Sequence, residues 1–212
     1  MSALLRVLAL AAGLLVAAPA LADTYDDMLR AIEIDDHRTI AGLLQRGADV
    51  NMVNPKGDTL LMAAARGGKP EVIRTLLAAK PRLNARNAYG ETALMLAAIN
   101  GRADIVKILL DAGAEVNQTG WTPLMYAAVN NHVEVAKLLL AKGAQVNAIA
   151  QNGTSALMMA SREGHLPMVL LLLEHGADVN YTSAYGHNAL SVATDRHQNE
   201  VADVLVRAGA KR

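Results

Sequence analysis

Several groups of side chains in this 212-residue sequence have the types and spacings of reactive sites. Ser191, Asp195 and His197 lie close enough along the chain to suggest a hydroxyl activated by a base. Met62, Met95, Met125 and Met158 recur at a nearly fixed interval, as thioether ligands of a soft metal would. Gly68-Lys69-Pro70 has the glycine and lysine of a phosphate-binding loop. His132 and His165 stand at corresponding places 33 residues apart, and six histidines occur in all.

None of these groups completes its chemistry. There is no cysteine, no Gly-x-Ser-x-Gly turn and no His-Glu-x-x-His pair. The Gly-Lys-Pro stretch lacks both the upstream glycine and the following hydroxyl that a phosphate loop needs. Methionines one repeat apart are too distant to share one ion, so they are expected to be packing residues. Ser191, Asp195 and His197 fall in a terminal unit whose outward face must be polar. No catalytic residue, metal ligand or cofactor is expected, and the chain is read as a non-enzyme.

The elements that position these residues recur. Val-Asn or Leu-Asn pairs place Asn51, Asn84, Asn117, Asn147 and Asn180 at spacings of 33, 33, 30 and 33. The stretches from Gly57 (GDTLLMAAA), Gly90 (GETALMLAA), Gly120 (GWTPLMYAA), Gly153 (GTSALMMAS) and Gly186 (GHNALSVAT) are copies of one unit. Each unit has a turn, a Thr, Ser or Asn able to cap a helix, an alanine-rich helix, a break, and a second helix with paired leucines. Gly113, Gly143, Gly176 and Gly209 follow the second helices, where a left-handed residue ends a helix. A unit this small cannot bury its apolar face alone, so a stack of about six is required.

Thr122-Pro123-Leu124-Met125-Tyr126-Ala127 resembles the Thr-Pro-Leu-His-x-Ala signature of the ankyrin repeat, and the resemblance extends over nearly the whole chain after residue 22. It implies an all-α solenoid of helix-turn-helix units with β-hairpin or loop fingers. A leading segment of 1–22 would precede a single domain over 23–212. That domain divides into a cap at about 24–53, repeats at about 54–86, 87–117, 118–149 and 150–182, and a cap at about 183–212. The family's histidine is replaced by methionine in four units, which fills space but is not expected to hydrogen-bond. The third finger is three residues short, either as a notch with Trp121 at its edge or as a tolerated deletion. Lys80-Pro81 replaces Gly-Ala and predicts an extended break.

The N-terminal segment has a different character. Arg6 precedes the apolar run Val7–Ala18, and Pro19 precedes Ala20-Leu21-Ala22, the pattern of a secretory signal cleaved between Ala22 and Asp23. The run is too short to span a bilayer, so no stable membrane insertion is expected after cleavage. Asn117-Gln-Thr, Asn152-Gly-Thr and Asn180-Tyr-Thr are formal glycosylation acceptors, but two of them use the repeating asparagine. A Gram-negative periplasm is therefore expected, with secretion as the alternative. With 20 basic and 20 acidic residues the chain has no charge bias toward nucleic acid. A monomer is expected.

The chain has one tryptophan, five tyrosines and no phenylalanine. Tyr89, Trp121, Tyr181 and Tyr185 lie in or beside the fingers, where they either brace neighbouring fingers or anchor a partner. The resemblance puts the binding surface on the fingers and the exposed side of each first helix. It adds Lys56, Asp58, Arg66, Glu91, Asn100, Asn130, Gln151, Asn152, Arg162 and His187 to the anchors Tyr89, Trp121 and Tyr185. The leading expectation is an interaction module for another exported protein. A small-ligand or metal carrier is the second reading, and an enzyme the remote third.

Overall fold

The computed structural model describes residues 17–211. Among them are twelve helices in six consecutive pairs: α1 (Ala17–Glu33) with α2 (His37–Gln45), α3 (Leu60–Gly67) with α4 (Pro70–Ala78), and α5 (Ala93–Ile99) with α6 (Ala103–Asp111). The series continues with α7 (Pro123–Val129) and α8 (Val133–Ala141), α9 (Ala156–Glu163) and α10 (Leu166–Glu174), and α11 (Ala189–Asp195) and α12 (Asn199–Arg207). The first helices of successive pairs stack on one another as an inner row, and the second helices as an outer row. The result is a solenoid two helices deep.

Each inner helix from α3 onward starts where a short polar side chain can take up a free amide. Thr59, Thr92, Thr122, Ser155 and Asn188 accept from the N–H three residues on, at 2.8–3.4 Å. Pro123 occupies the first turn of α7, where its missing N–H costs nothing. Ala64, Ala97, Ala127 and Ala160 are fully buried, and their small volume lets the inner helices pack closely. The outer row buries Leu43, Leu76, Leu109, Leu139, Leu172 and Leu205. Full burial of a leucine stabilises by about 1.5–3 kcal/mol, so this single stripe is a large part of the core.

Met62, Met95, Met125 and Met158 are buried between inner helices, as packing residues should be. One of them also bonds, contrary to expectation: the Thr59 N–H donates to the Met62 sulfur at 3.4 Å, closing a reciprocal cap. A thioether is a weak acceptor, but burial leaves this amide no water to compete for it. Ser191 does the same in the last unit, its hydroxyl accepting from the Asn188 N–H at 2.9 Å.

His132 and His165 tie units together. Their Nε2 atoms lie 3.0 and 3.1 Å from the carbonyls of Ile99 and Val129, which can only accept, so Nε2 carries the proton. Gly101 is required beneath this contact: its φ is +65°, and a Cβ there would sit 2.6 Å from the His132 ring. Asn131 and His197 replace the corresponding glycine elsewhere with φ of +57° and +58°.

On the loop edge, the side-chain oxygens of Asn51, Asn84, Asn117, Asn147 and Asn180 accept from the N–H of Arg82, Glu115, Gln145, Asp178 and Lys211 in the next unit, at 2.7–3.0 Å. Asn117, Asn147 and Asn180 also donate to the carbonyls of Gly143, Gly176 and Gly209. These asparagines form a continuous ladder.

The break expected at Lys80-Pro81 is not extended. Lys80 adopts φ +54° and its N–H donates to the Leu77 carbonyl, so lysine performs the left-handed turn that glycine performs in the other units. Pro81 has no N–H, and the bond that Ala144 makes to Leu139 at 3.0 Å has no counterpart there.

At the N-terminal end α1 runs through the Ala22–Asp23 junction, while residues 1–16, including Arg6, lie outside those described. Asp26, Asp27, Arg30 and Glu33 are exposed, as a polar cap requires. The last unit is mixed: polar residues surround an open hollow of about 590 Å³ that reaches Leu190 and Val206, the latter 55 % exposed.

Candidate functional site

The fingers are loops tightened by their own side chains. Asn54 Oδ1 accepts from the N–H of Lys56 and Asp58, and Asn87 Oδ1 from the N–H of Tyr89 and Glu91, at 2.9–3.0 Å. Regular β-pairing is reduced to single bridges, Val53 with Thr59 and Ile149 with Ser155. In the short third finger Gln118 turns inward, donating to Thr92 Oγ1 at 3.4 Å and to the Glu115 carbonyl at 3.3 Å. Its side chain is buried, as that of Asn87 is one unit earlier.

The named anchors divide into two kinds. Tyr89 and Tyr185 stand at finger tips, 70 % and 78 % exposed. Trp121 is half-buried and packs on Tyr126, ring centroids 5.2 Å apart and tilted by 39°. Tyr181 braces: its hydroxyl donates to the Gly153 carbonyl of the preceding finger at 3.2 Å.

Asp58 departs most from its expected role as a contact. It is only 6 % exposed, and its carboxylate accepts from Asn87 at 2.8 Å, Arg66 at 3.2 Å and Asn54 at 3.5 Å. Burial alone would raise its pKa, but these three hydrogen bonds and the charge of Arg66 together outweigh that effect and hold the carboxyl below the usual value. Asp58 is a structural link between the first and second fingers. Tyr25 donates to its backbone carbonyl at 3.4 Å, and burial followed by the Asp58 charge raises that phenol's pKa.

The remaining named residues lie in the fingers or in and just after the inner helices. Lys56 is exposed, and its carbonyl accepts from the Ala88 N–H of the next finger. Asn100 and Asn130 spend their amides on the last carbonyls of their own helices, Leu96 at 2.7 Å and Tyr126 at 3.0 Å. Gln151 is exposed. Asn152, Arg162, Tyr185 and His187 meet around a hollow of about 170 Å³ floored by Met159 and Val192, with Arg162 also paired to Glu163 at 2.8 Å. Glu91 is half-buried and accepts from Asn87 at 2.9 Å.

Tyr126 belongs to this face although sequence reasoning did not select it. Burial first, and Glu91 beside its hydroxyl second, raise its pKa. The available signal was its place at the free position of Thr-Pro-Leu-Met-x-Ala, which Ala63, Leu96, Met159 and Val192 occupy in other units.

Ser191, by contrast, is committed to capping: its hydroxyl accepts from the Asn188 N–H and donates to the Asn188 carbonyl. Among the described residues no group of three His, Cys, Asp or Glu side chains could hold a metal ion. No helix among them is long and apolar enough to cross a membrane.

An open, mixed polar and aromatic face on a stack of helix pairs defines a solenoid of the binding-scaffold class. The family model for "Ankyrin repeats (3 copies)" matches residues 28–120 and 144–211, and that for a single "Ankyrin repeat" matches 119–151; the chain belongs to the ankyrin-repeat family. Among solved structures it is similar to the human ASB11 ankyrin repeat domain, with a TM-score of 0.80 and 25% identity over 87% of this chain and 84% of that one. No curated protein sequence matches. Ankyrin repeats are in general protein-protein interaction modules, and the fold is typically a non-enzymatic scaffold.

Proposed function

We propose that this protein is an exported interaction module that binds another exported protein through its fingers and inner-helix face, and so positions, stabilises or inhibits it. The observation that carries this reading is the exposure of Tyr89 and Tyr185 at two finger tips. A chain with six aromatic side chains and no phenylalanine would place them in the core if stability were their purpose. Large, stiff aromatic groups at exposed tips are the usual anchors of a protein interface.

The compartment rests on Arg6, the apolar run to Ala18 and the small residues before Asp23. The asparagine ladder favours a bacterial periplasm over a glycosylating secretory route. Asn117 and Asn180 each use both side-chain atoms in bonds to the next unit, and a glycan on either nitrogen would crowd that contact.

The test is a crosslinked pull-down from periplasmic extract with wild type and a folded Tyr89→Ala, Tyr185→Ala variant. Enrichment of one protein by wild type alone supports the reading. Enrichment by both moves the contact away from the finger tips, and enrichment by neither counts against an interaction module.

A further inference from the structure

Two successive fingers carry a carboxylate at the same position, Asp58 in the second unit and Glu91 in the third. Eight residues beyond Asp58 stands Arg66, which reaches back to it at 3.2 Å. The same step from Glu91 arrives at Ile99. Glu91 keeps its bond from Asn87, but the ion pairs among the described residues do not include it. The repeat places a negative charge on the binding face here and omits the cation that neutralises it one unit earlier.

The surroundings favour one kind of cation. Tyr126 lies against Glu91, and Trp121 packs on Tyr126 with ring centroids 5.2 Å apart, both half-buried and so partly open to an approaching group. The third finger, short by three residues, carries no tip like those of Tyr89 and Tyr185. A guanidinium satisfies both parts of such a site: its fork of N–H donors matches the lone pairs that the bond from Asn87 and the neighbouring Tyr126 hydroxyl leave on the carboxylate, and its flat face stacks on an aromatic ring. An ammonium offers a point charge without the stacking plane.

We propose that Glu91, Trp121 and Tyr126 form a subsite for an arginine side chain of the bound partner. The inference rests on the interaction reading above and adds to it the chemistry that the partner must present. Arginine and these aromatics are the residue types most enriched where interfaces hold their energy.

Trp121 is the sole tryptophan, so its emission reports on this subsite. The full chain is titrated with N-acetyl-arginine amide, with N-acetyl-citrulline amide, which keeps the shape and loses the charge, and with N-acetyl-lysine amide. A saturable change with the arginine probe, at least tenfold weaker with the other two, is expected. Glu91→Gln still offers an acceptor to Asn87 and should also bind at least tenfold more weakly, the scale of a lost charged hydrogen bond. Ile99→Arg supplies internally what Arg66 supplies to Asp58 and should block the probe. An equal response to the citrulline or lysine probe, or an unchanged affinity in Glu91→Gln, overturns the proposal.

Partner capture separates the two readings. Loss of the partner in Tyr89→Ala, Tyr185→Ala but undiminished capture by Glu91→Gln removes the arginine subsite and leaves the interaction module standing. No capture by wild type, with the arginine titration intact, sets aside the interaction module and the assignment of the arginine to a protein partner, and leaves only a guanidinium-binding subsite.

Discussion

Asn51, Asn84, Asn117, Asn147 and Asn180 make the same bond five times, each to an N–H of the following unit. The finger position of Asp58 is held in turn by Glu91, Trp121, Thr154 and His187. The first edge has one solution because every unit must meet the same neighbour in the same geometry, and stability in such a stack is a sum of unit and interface contributions. The second edge varies because, after Asp58, it need not satisfy a neighbour. Repetition therefore marks what holds the solenoid together, and variation marks what is free to face a partner.

Three substitutions on the repeating side test the first half of this contrast. Leu139 is fully buried in α8, in the middle of the outer row. Leu139→Ala should destabilise by about 2–5 kcal/mol, read as a lower denaturant midpoint, because both transfer energy and a cavity are involved. A midpoint equal to wild type would contradict the stacking register. Asn147→Ala removes the bonds to the Asp178 N–H and the Gly176 carbonyl and should cost about 1–3 kcal/mol, for two net hydrogen bonds. The same measurement checks it, and a loss below the range would mean that water replaces the ladder.

Lys80→Gly should act in the opposite direction. Left-handed backbone costs an L-residue roughly 1–2 kcal/mol. A glycine relieves that strain while loosening the unfolded chain by about 0.4–1 kcal/mol. A net gain of about 0.5–1 kcal/mol in chemical denaturation is the expected outcome. Destabilisation would show that the Lys80 side chain contributes a contact worth more than its strain.

Much of the fold was legible in the sequence, because its determinants are local and repeated. Thr59, Thr92, Thr122, Ser155 and Asn188 announce helix starts through one short-range bond, and Gly113 or Gly143 announces helix ends through one dihedral angle. The binding face was less legible. Asp58 and Glu91 look alike in sequence, and what distinguishes them is whether Arg66 or Ile99 stands eight residues later and how Asn87 divides its amide between them. Tyr126 was hidden by the repeat itself: the free position of the signature carries no expected type, so an aromatic there breaks no pattern. Lys80 defies its local sequence for a related reason, since proline after it argues for an extended residue while the stacked units on either side impose the turn.

The smallest stability effect is expected at the finger tips. Tyr89 and Tyr185 leave most of their surface in water, so truncating each should change folding stability by no more than about 0.5 kcal/mol. Capture of the partner should fall sharply in the same variants, since aromatic anchors at an interface commonly contribute 2 kcal/mol or more, roughly thirtyfold in affinity. The contrast between the two edges is sharpened only if both results are obtained on the same protein. A denaturation midpoint that fell as far for Tyr185→Ala as for Asn147→Ala would mean that the tips brace neighbouring fingers, as Tyr181 does through Gly153. Variation at the finger edge would then be variation in packing, and the site of recognition would move to the inner-helix face around Glu91 and Tyr126.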